Sequence, residues 1–86
     1  MSQETLAPFS TRSKSIKKGI YEHYKGNTYK VIAVGRHSEN LEEMVIYQDC
    51  SDESKWWIRP VSLFLETISI EDKEIPRFRF LREVEL

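Results

Sequence analysis

One cysteine, three glycines and two histidines in 86 residues leave several chemistries without their parts. Cys50 has no partner for an intrachain disulfide, which suits a reducing compartment, and a cytoplasmic location is expected. Asp49 and Asp52 lie close to it in sequence, and neighbouring carboxylates disfavour a thiolate, so Cys50 is a poor nucleophile. There is no C-x-x-C and no H-x-x-x-H. Zinc needs three or four converging ligands, and His23 and His37 are too few, so neither a metal nor another cofactor is expected. No apolar run is long enough to cross a bilayer and the N-terminus lacks an apolar h-region, so no membrane association and no secretory signal are expected.

Basic charge is also missing where a nucleic-acid binder would place it. The first eighteen residues carry Arg12, Lys14, Lys17 and Lys18 against Glu4, a net +3, which leaves −4 for the rest of a chain whose net charge is −1. Nucleic-acid binders usually carry a basic stripe on their folded face, so the expected partner is a polar or anionic ligand or another protein.

The length allows one domain with a small core. Such a chain buries only about 60% of its unfolded surface, and its core supplies roughly 3–5 kcal/mol. Residues 1–18, rich in Ser, Thr and Lys and poor in periodicity, read as a disordered basic tail. From Gly19 onward, short apolar-alternating segments are separated by turn residues. Strands are expected over 20–24, 28–37, 44–48, 56–59, 67–70 and 75–81, with a helical turn after Pro60. The middle of Thr28–His37 is apolar on both faces, which predicts a bend, placed at Gly35. The final two segments read as one hairpin, with Ile68, Ile70, Phe78 and Phe80 facing the core and Arg77 and Arg79 facing out. The fold class is all-β: a small open barrel of five or six strands covering 19–86.

Two dipeptide spacings stand out. Tyr21-x-His23 and Trp57-x-Arg59 each put a ring and a cationic or titratable group on one face of a strand. Trp56 and Ile58 occupy the other face of theirs, so one tryptophan is expected in the core and Trp57 near solvent, stacked with Arg59. Between the pairs lies the polar cluster Arg36-His37-Ser38-Glu39. With Tyr47 these residues form the expected ligand-binding set: Tyr21, His23, Arg36, His37, Ser38, Glu39, Tyr47, Trp57 and Arg59. Rings supply stacking, arginines bidentate contacts and histidines tunable hydrogen bonds.

Several motifs in this order are similar to those of a bacterial family, domain-of-unknown-function family 1653. They are G-x-Y-x-H-Y-K-G-x-x-Y-x-V at 19–31, R-H-S-E at 36–39, E-x-x-V-x-Y at 42–47, W-x-R-P at 57–60, F-L-E at 64–66 and P-R-F at 76–78. The resemblance implies an SH3-like barrel over 19–80. It implies no activity and no cofactor. The tail 1–18 and the acidic connection 49–55 depart from the family's pattern.

Three functions compete on these residues. The favoured one is a non-catalytic binding module. A small hydrolase or metal-dependent enzyme would draw on His23, His37 and Glu39, yet consecutive His-Ser-Glu residues rarely form a relay, and no glycine-rich oxyanion loop accompanies them. A nucleic-acid accessory role would use the rings for stacking, against the acidic balance of the folded part. A fourth expectation is purely structural: Arg36 and Arg59 as internal struts paired with Glu39 or Glu66.

Overall fold

The computed structural model describes residues 6–84. A helical turn, α1 (Thr11–Lys14), precedes four consecutive antiparallel strands: β1 (Gly19–His23), β2 (Thr28–Arg36), β3 (Glu43–Asp49) and β4 (Trp56–Pro60). The turn α2 (Val61–Phe64) follows directly. A separate hairpin of β5 (Thr67–Ile70) and β6 (Lys73–Pro76) comes next, and β7 (Phe78–Glu83) returns beside β1. The main sheet has the order β4-β3-β2-β1-β7. It is a barrel left open, since β4 and β7 do not pair.

Local sequence explains most of these boundaries. Gly26 closes the β1–β2 turn with φ +106°, a conformation that side chains resist. Pro60, which has no amide to offer a ladder, ends β4 and leads into α2. Two bulges bend the sheet. One lies between Val31 and Ala33, leaving Ile32 as the extra residue against β3, and the other makes Leu81 extra against β1. The bend expected at Gly35 therefore sits three residues earlier. Gly35 pairs regularly with Met44, and a methyl group there would only touch the Ile46 side chain.

Bending turns one face inward. Tyr21, Val31, Val45 and Tyr47 from the sheet meet Val61 and Phe64 from α2 and Phe78 from β7. Phe64 is 1% exposed. Its ring stacks on Phe78 with centroids 4.3 Å apart and receives Tyr21 and Tyr47 edge-on at 5.3 and 5.7 Å. Such pairs add about 0.5–1.5 kcal/mol beyond the area they bury. α2 thus plugs the curved sheet with one ring.

Three expectations about packing are corrected. Ile70 is exposed and Ile68 only half-buried, because β5 pairs with β6 in a hairpin outside the main sheet. β6 and β7 are separate strands divided at Arg77, and only β7 delivers a core residue. Arg79 does point outward, meeting Glu22, whereas Arg77 turns to Glu66 at 2.6 Å.

The stretch read as a tail divides at the described boundary. Residues 1–5 lie outside the described residues. Further on, Ser10 caps α1 by accepting from the Ser13 amide at 3.1 Å, and Ser13 is buried. Glu43 accepts from the Ser10 amide and hydroxyl, both at 2.7 Å, and from the Ser13 hydroxyl at 2.8 Å. These bonds, the Ser10 amide first, hold the Glu43 carboxyl below its ordinary range. The Lys17 backbone bonds the Tyr21 hydroxyl in both directions, accepting at 2.8 Å and donating at 3.1 Å.

Candidate functional site

The inward face of the sheet does not stay buried along its whole length. Toward the β1–β2 turn it opens into a cavity of about 160 Å³ lined by His23, Tyr29, Tyr47, Trp57, Arg59 and Phe78. Period two brings these residues together. Tyr47 lies opposite Trp57 in the β3–β4 register, and His23 lies opposite Phe78 in the β1–β7 register. The floor is a set of edge-to-face rings: Tyr29 to Tyr47 at 5.4 Å, Tyr47 to Phe78 at 5.4 Å and His23 to Phe78 at 5.0 Å.

Arg59 supplies the charge. It is half-buried, its Nε donates to the Tyr47 hydroxyl at 3.1 Å, and its guanidinium lies 5.6 Å from the Phe78 ring centroid. No carboxylate among the described residues pairs with it, and its two terminal nitrogens have no hydrogen-bond partner there. The strut expectation therefore fails for Arg59, because Glu66 is taken by Arg77. Stacking on Trp57 is also not what the structure has; the ring under Arg59 is Phe78.

His23 holds its Nδ1 toward the Lys25 amide, accepting at 3.2 Å. Its pKa lies below the ordinary imidazole value. Burial is the main cause, followed by the positive charges of Arg59, Arg77 and Lys25. The imidazole is accordingly neutral at pH 7, and its Nε2 has no partner among the described residues. The pocket combines apolar walls, one unpaired cation and a neutral hydrogen-bonding ring.

Four of the nine expected residues, His23, Tyr47, Trp57 and Arg59, converge here. Tyr21 shares the face but is 6% exposed, wedged between Phe64 and Phe80, with its hydroxyl engaged by Lys17. It is a core residue rather than part of an exposed surface. The cluster Arg36, His37, Ser38 and Glu39 lies elsewhere. Arg36 is seven residues farther along β2 than Tyr29, up to roughly 23 Å of extended chain. Its guanidinium covers the Phe9 ring at 4.1 Å and donates to the Ala7 carbonyl, so it braces the N-terminal segment rather than pairing with Glu39.

The His37-Ser38-Glu39 loop satisfies itself. The Glu39 amide donates to His37 Nδ1 at 3.1 Å, the His37 amide donates to the Glu42 carbonyl at 2.8 Å, and the Ser38 hydroxyl is turned toward the Glu39 carboxylate at 3.4 Å. A hydrolytic relay would run from serine to histidine to acid, and this geometry has no serine–histidine link. His23 and His37 line separate cavities. Among the described residues, no three His, Cys, Asp or Glu side chains are grouped to hold a metal.

The expected split between the tryptophans is corrected as well. Trp56 and Trp57 are 53% and 47% exposed, because β4 is an edge strand of a curved sheet and no second layer among the described residues covers Trp56. Two pocket residues escaped the expected site. Tyr29 could have been found, since a tight turn at Gly26 places it opposite Tyr21. Phe78 depends on the distant pairing of β7 with β1, which no local pattern reveals.

Comparison with known proteins places this arrangement. The model of a family described as a protein of unknown function, DUF1653, matches residues 19–80. The chain belongs to the DUF1653 family. A crystal structure of a DUF1653 protein from Bordetella bronchiseptica is similar to it, with 25% sequence identity and a TM-score of 0.75 over 86% of this chain and 97% of that one. No curated protein matches. All six pocket residues fall inside the DUF1653 match, whereas α1 and its cap Ser10, which bond to Glu43, precede the matched stretch.

Proposed function

We propose that this DUF1653 domain is a non-catalytic binding module whose pocket receives a carboxylate or similar small anionic group. The unpaired, half-buried Arg59 guanidinium in an aromatic cavity carries the reading. A guanidinium partly withdrawn from water binds a carboxylate through two parallel hydrogen bonds, stronger than neutral ones. Tyr47 fixes Nε and leaves the terminal nitrogens for the ligand. Trp57 offers a ring for stacking, and neutral His23 offers one further hydrogen bond. The cavity is small beside the roughly 300–1,000 Å³ of ordinary small-molecule sites, so it suits a single side chain or compact acid better than a nucleotide.

Titration calorimetry with benzoate tests the reading. The chain is expected to bind it with a millimolar Kd, and Arg59→Gln to weaken it about tenfold or more. Losing the bond to Tyr47 costs Arg59→Gln about 1 kcal/mol, a drop of roughly 4–8 °C in Tm. Arg36→Gln, remote from the cavity, leaves binding unchanged. The pH dependence has a definite sign. As pH falls below 7 and the imidazole begins to gain a proton beside Arg59, the added positive charge tightens the binding of ionised benzoate. No binding at about 10 mM benzoate, roughly tenfold above the expected Kd, or equal binding by Arg59→Gln, defeats the reading.

A further inference from the structure

The pocket adjoins an unused strand edge. β4 pairs with β3 on one side, and no backbone group of the described residues bonds to its other side. The direction of its free groups follows from the ladder. The Asp49 amide donates to the Lys55 carbonyl at 3.0 Å, and the register runs without a break from Gln48 opposite Trp56 to Met44 opposite Pro60. Antiparallel pairs alternate between bonded and non-bonded positions. The backbone groups of Trp57 and Arg59 therefore face β3, and those of Trp56 and Ile58 point outward.

Side chains alternate in step. Trp57 and Arg59 line the pocket, while Trp56 and Ile58 lie on the opposite face, 53% and 66% exposed. Beside Ile58 is a second cavity, of about 290 Å³, which it shares with Ile46 and Met44. Exposed apolar edges invite pairing and are normally blunted by charge. At the other end of the sheet β7 presents exposed Arg79, Arg82 and Glu83. β4 offers Trp-Trp-Ile before its single arginine.

We propose that β4 takes up an extended segment of a partner protein as an added antiparallel strand, with acidic and apolar residues alternating. This rests on the anion-binding reading of the Arg59 pocket. The residue opposite Ile58 exchanges both backbone bonds with it and lays an apolar side chain against Ile58 and the second cavity. Its two neighbours fall opposite Trp57 and Arg59, where a carboxylate reaches the free guanidinium. Pairing with a second copy through β4 is the poorer match, since centring it on Ile58 sets Trp57 against Arg59 and brings no carboxylate to either guanidinium. Ladder bonds thus supply affinity and the two faces supply selectivity.

Blocked five-residue peptides of sequence Val-Glu-Val-Glu-Val, titrated into the full chain, test this against benzoate. The peptide should bind about tenfold or more tighter than benzoate, and replacing both glutamates by glutamine should remove about tenfold. Methylating the central valine amide, which faces Ile58, should cost about tenfold, whereas methylating the amide of a glutamate, which faces away, should cost little. Ile58→Lys should weaken the peptide and leave benzoate unchanged. Benzoate binding together with equal affinity for the two methylated peptides would keep the pocket and overturn strand addition. A peptide sensitive to both the valine amide and the glutamates, with no benzoate binding, would keep strand addition and discard a site for free anions. A dimer in sedimentation that Ile58→Lys dissociates would overturn the proposal in favour of a second copy.

Discussion

Phe64→Ala is expected to leave almost no folded protein at 37 °C. Phe64 fills the mouth of the curved sheet, 1% exposed, between the stacked Phe78 ring and the edges of Tyr21 and Tyr47. Removing a buried phenylalanine costs about 3–5 kcal/mol from lost transfer and the cavity left behind. That range equals what a core of this size supplies, roughly 3–5 kcal/mol. Phe64→Leu keeps most of the volume and should cost less, about 1.5 kcal/mol. Near-ultraviolet dichroism and urea unfolding report both variants. A cooperative Phe64→Ala transition within about 1 kcal/mol of the parent would show that α2 is not part of the cooperative core.

Gly19→Ala should rank beside it. Gly19 opens β1 with φ +152°, and a methyl group there would lie 2.2 Å from the Arg82 carbonyl oxygen and 2.9 Å from the Glu83 Cα. Both are backbone atoms of β7, so relief requires β1 and β7 to separate at that end. Overpacking of this kind costs about 1–3 kcal/mol and the forced backbone conformation about 1–3 more. Gly26→Ala isolates the second term, since nothing lies within 4 Å of the added methyl. Amide exchange should rise along β7 in Gly19→Ala and only near the turn in Gly26→Ala. Equal losses in the two variants would mean that the close approach to β7 is not what requires glycine at 19.

The contrast between these residues marks how far the sequence could be read. Strand positions in β1 to β4 followed from alternation and from turn residues such as Gly26 and Pro60, which are local signals. His23, Tyr47, Trp57 and Arg59 share one face for the same reason. What alternation does not encode is which strands become edges. Trp56 is exposed because no second layer of the described residues covers its face of β4, although a tryptophan is the kind of residue that a buried position takes. Ile68 and Ile70 alternate as core residues do, yet their hairpin stands outside the main sheet. The bend in β2 fell on Ile32 rather than on the more permissive Gly35, because the ladder to β3 stays regular from Ala33 onward. Arg36 and Tyr21 were misplaced from the site for a related reason. Their partners, Ala7 and Phe9 for one and Lys17 for the other, come from a segment whose composition reads as solvated tail.

The neighbour order of the sheet also sets a timetable. Strands β1 to β4 each pair with the next in sequence, but β1 acquires its second neighbour only when β7 arrives, with Glu22 and Arg79 57 positions apart. Closing a loop of that length carries an entropic cost that the early hairpins avoid. Phe78, the ring on which Phe64 stacks, belongs to the same late strand. A chain folded only as far as α2 would leave Phe64 without its stacking partner, so β7 brings both the second neighbour of β1 and the cover of the plug. Pulse-labelled exchange during refolding should protect amides between β2 and β3 before those between β1 and β7. Simultaneous protection of the two would mean that closure, rather than the meander, nucleates the domain.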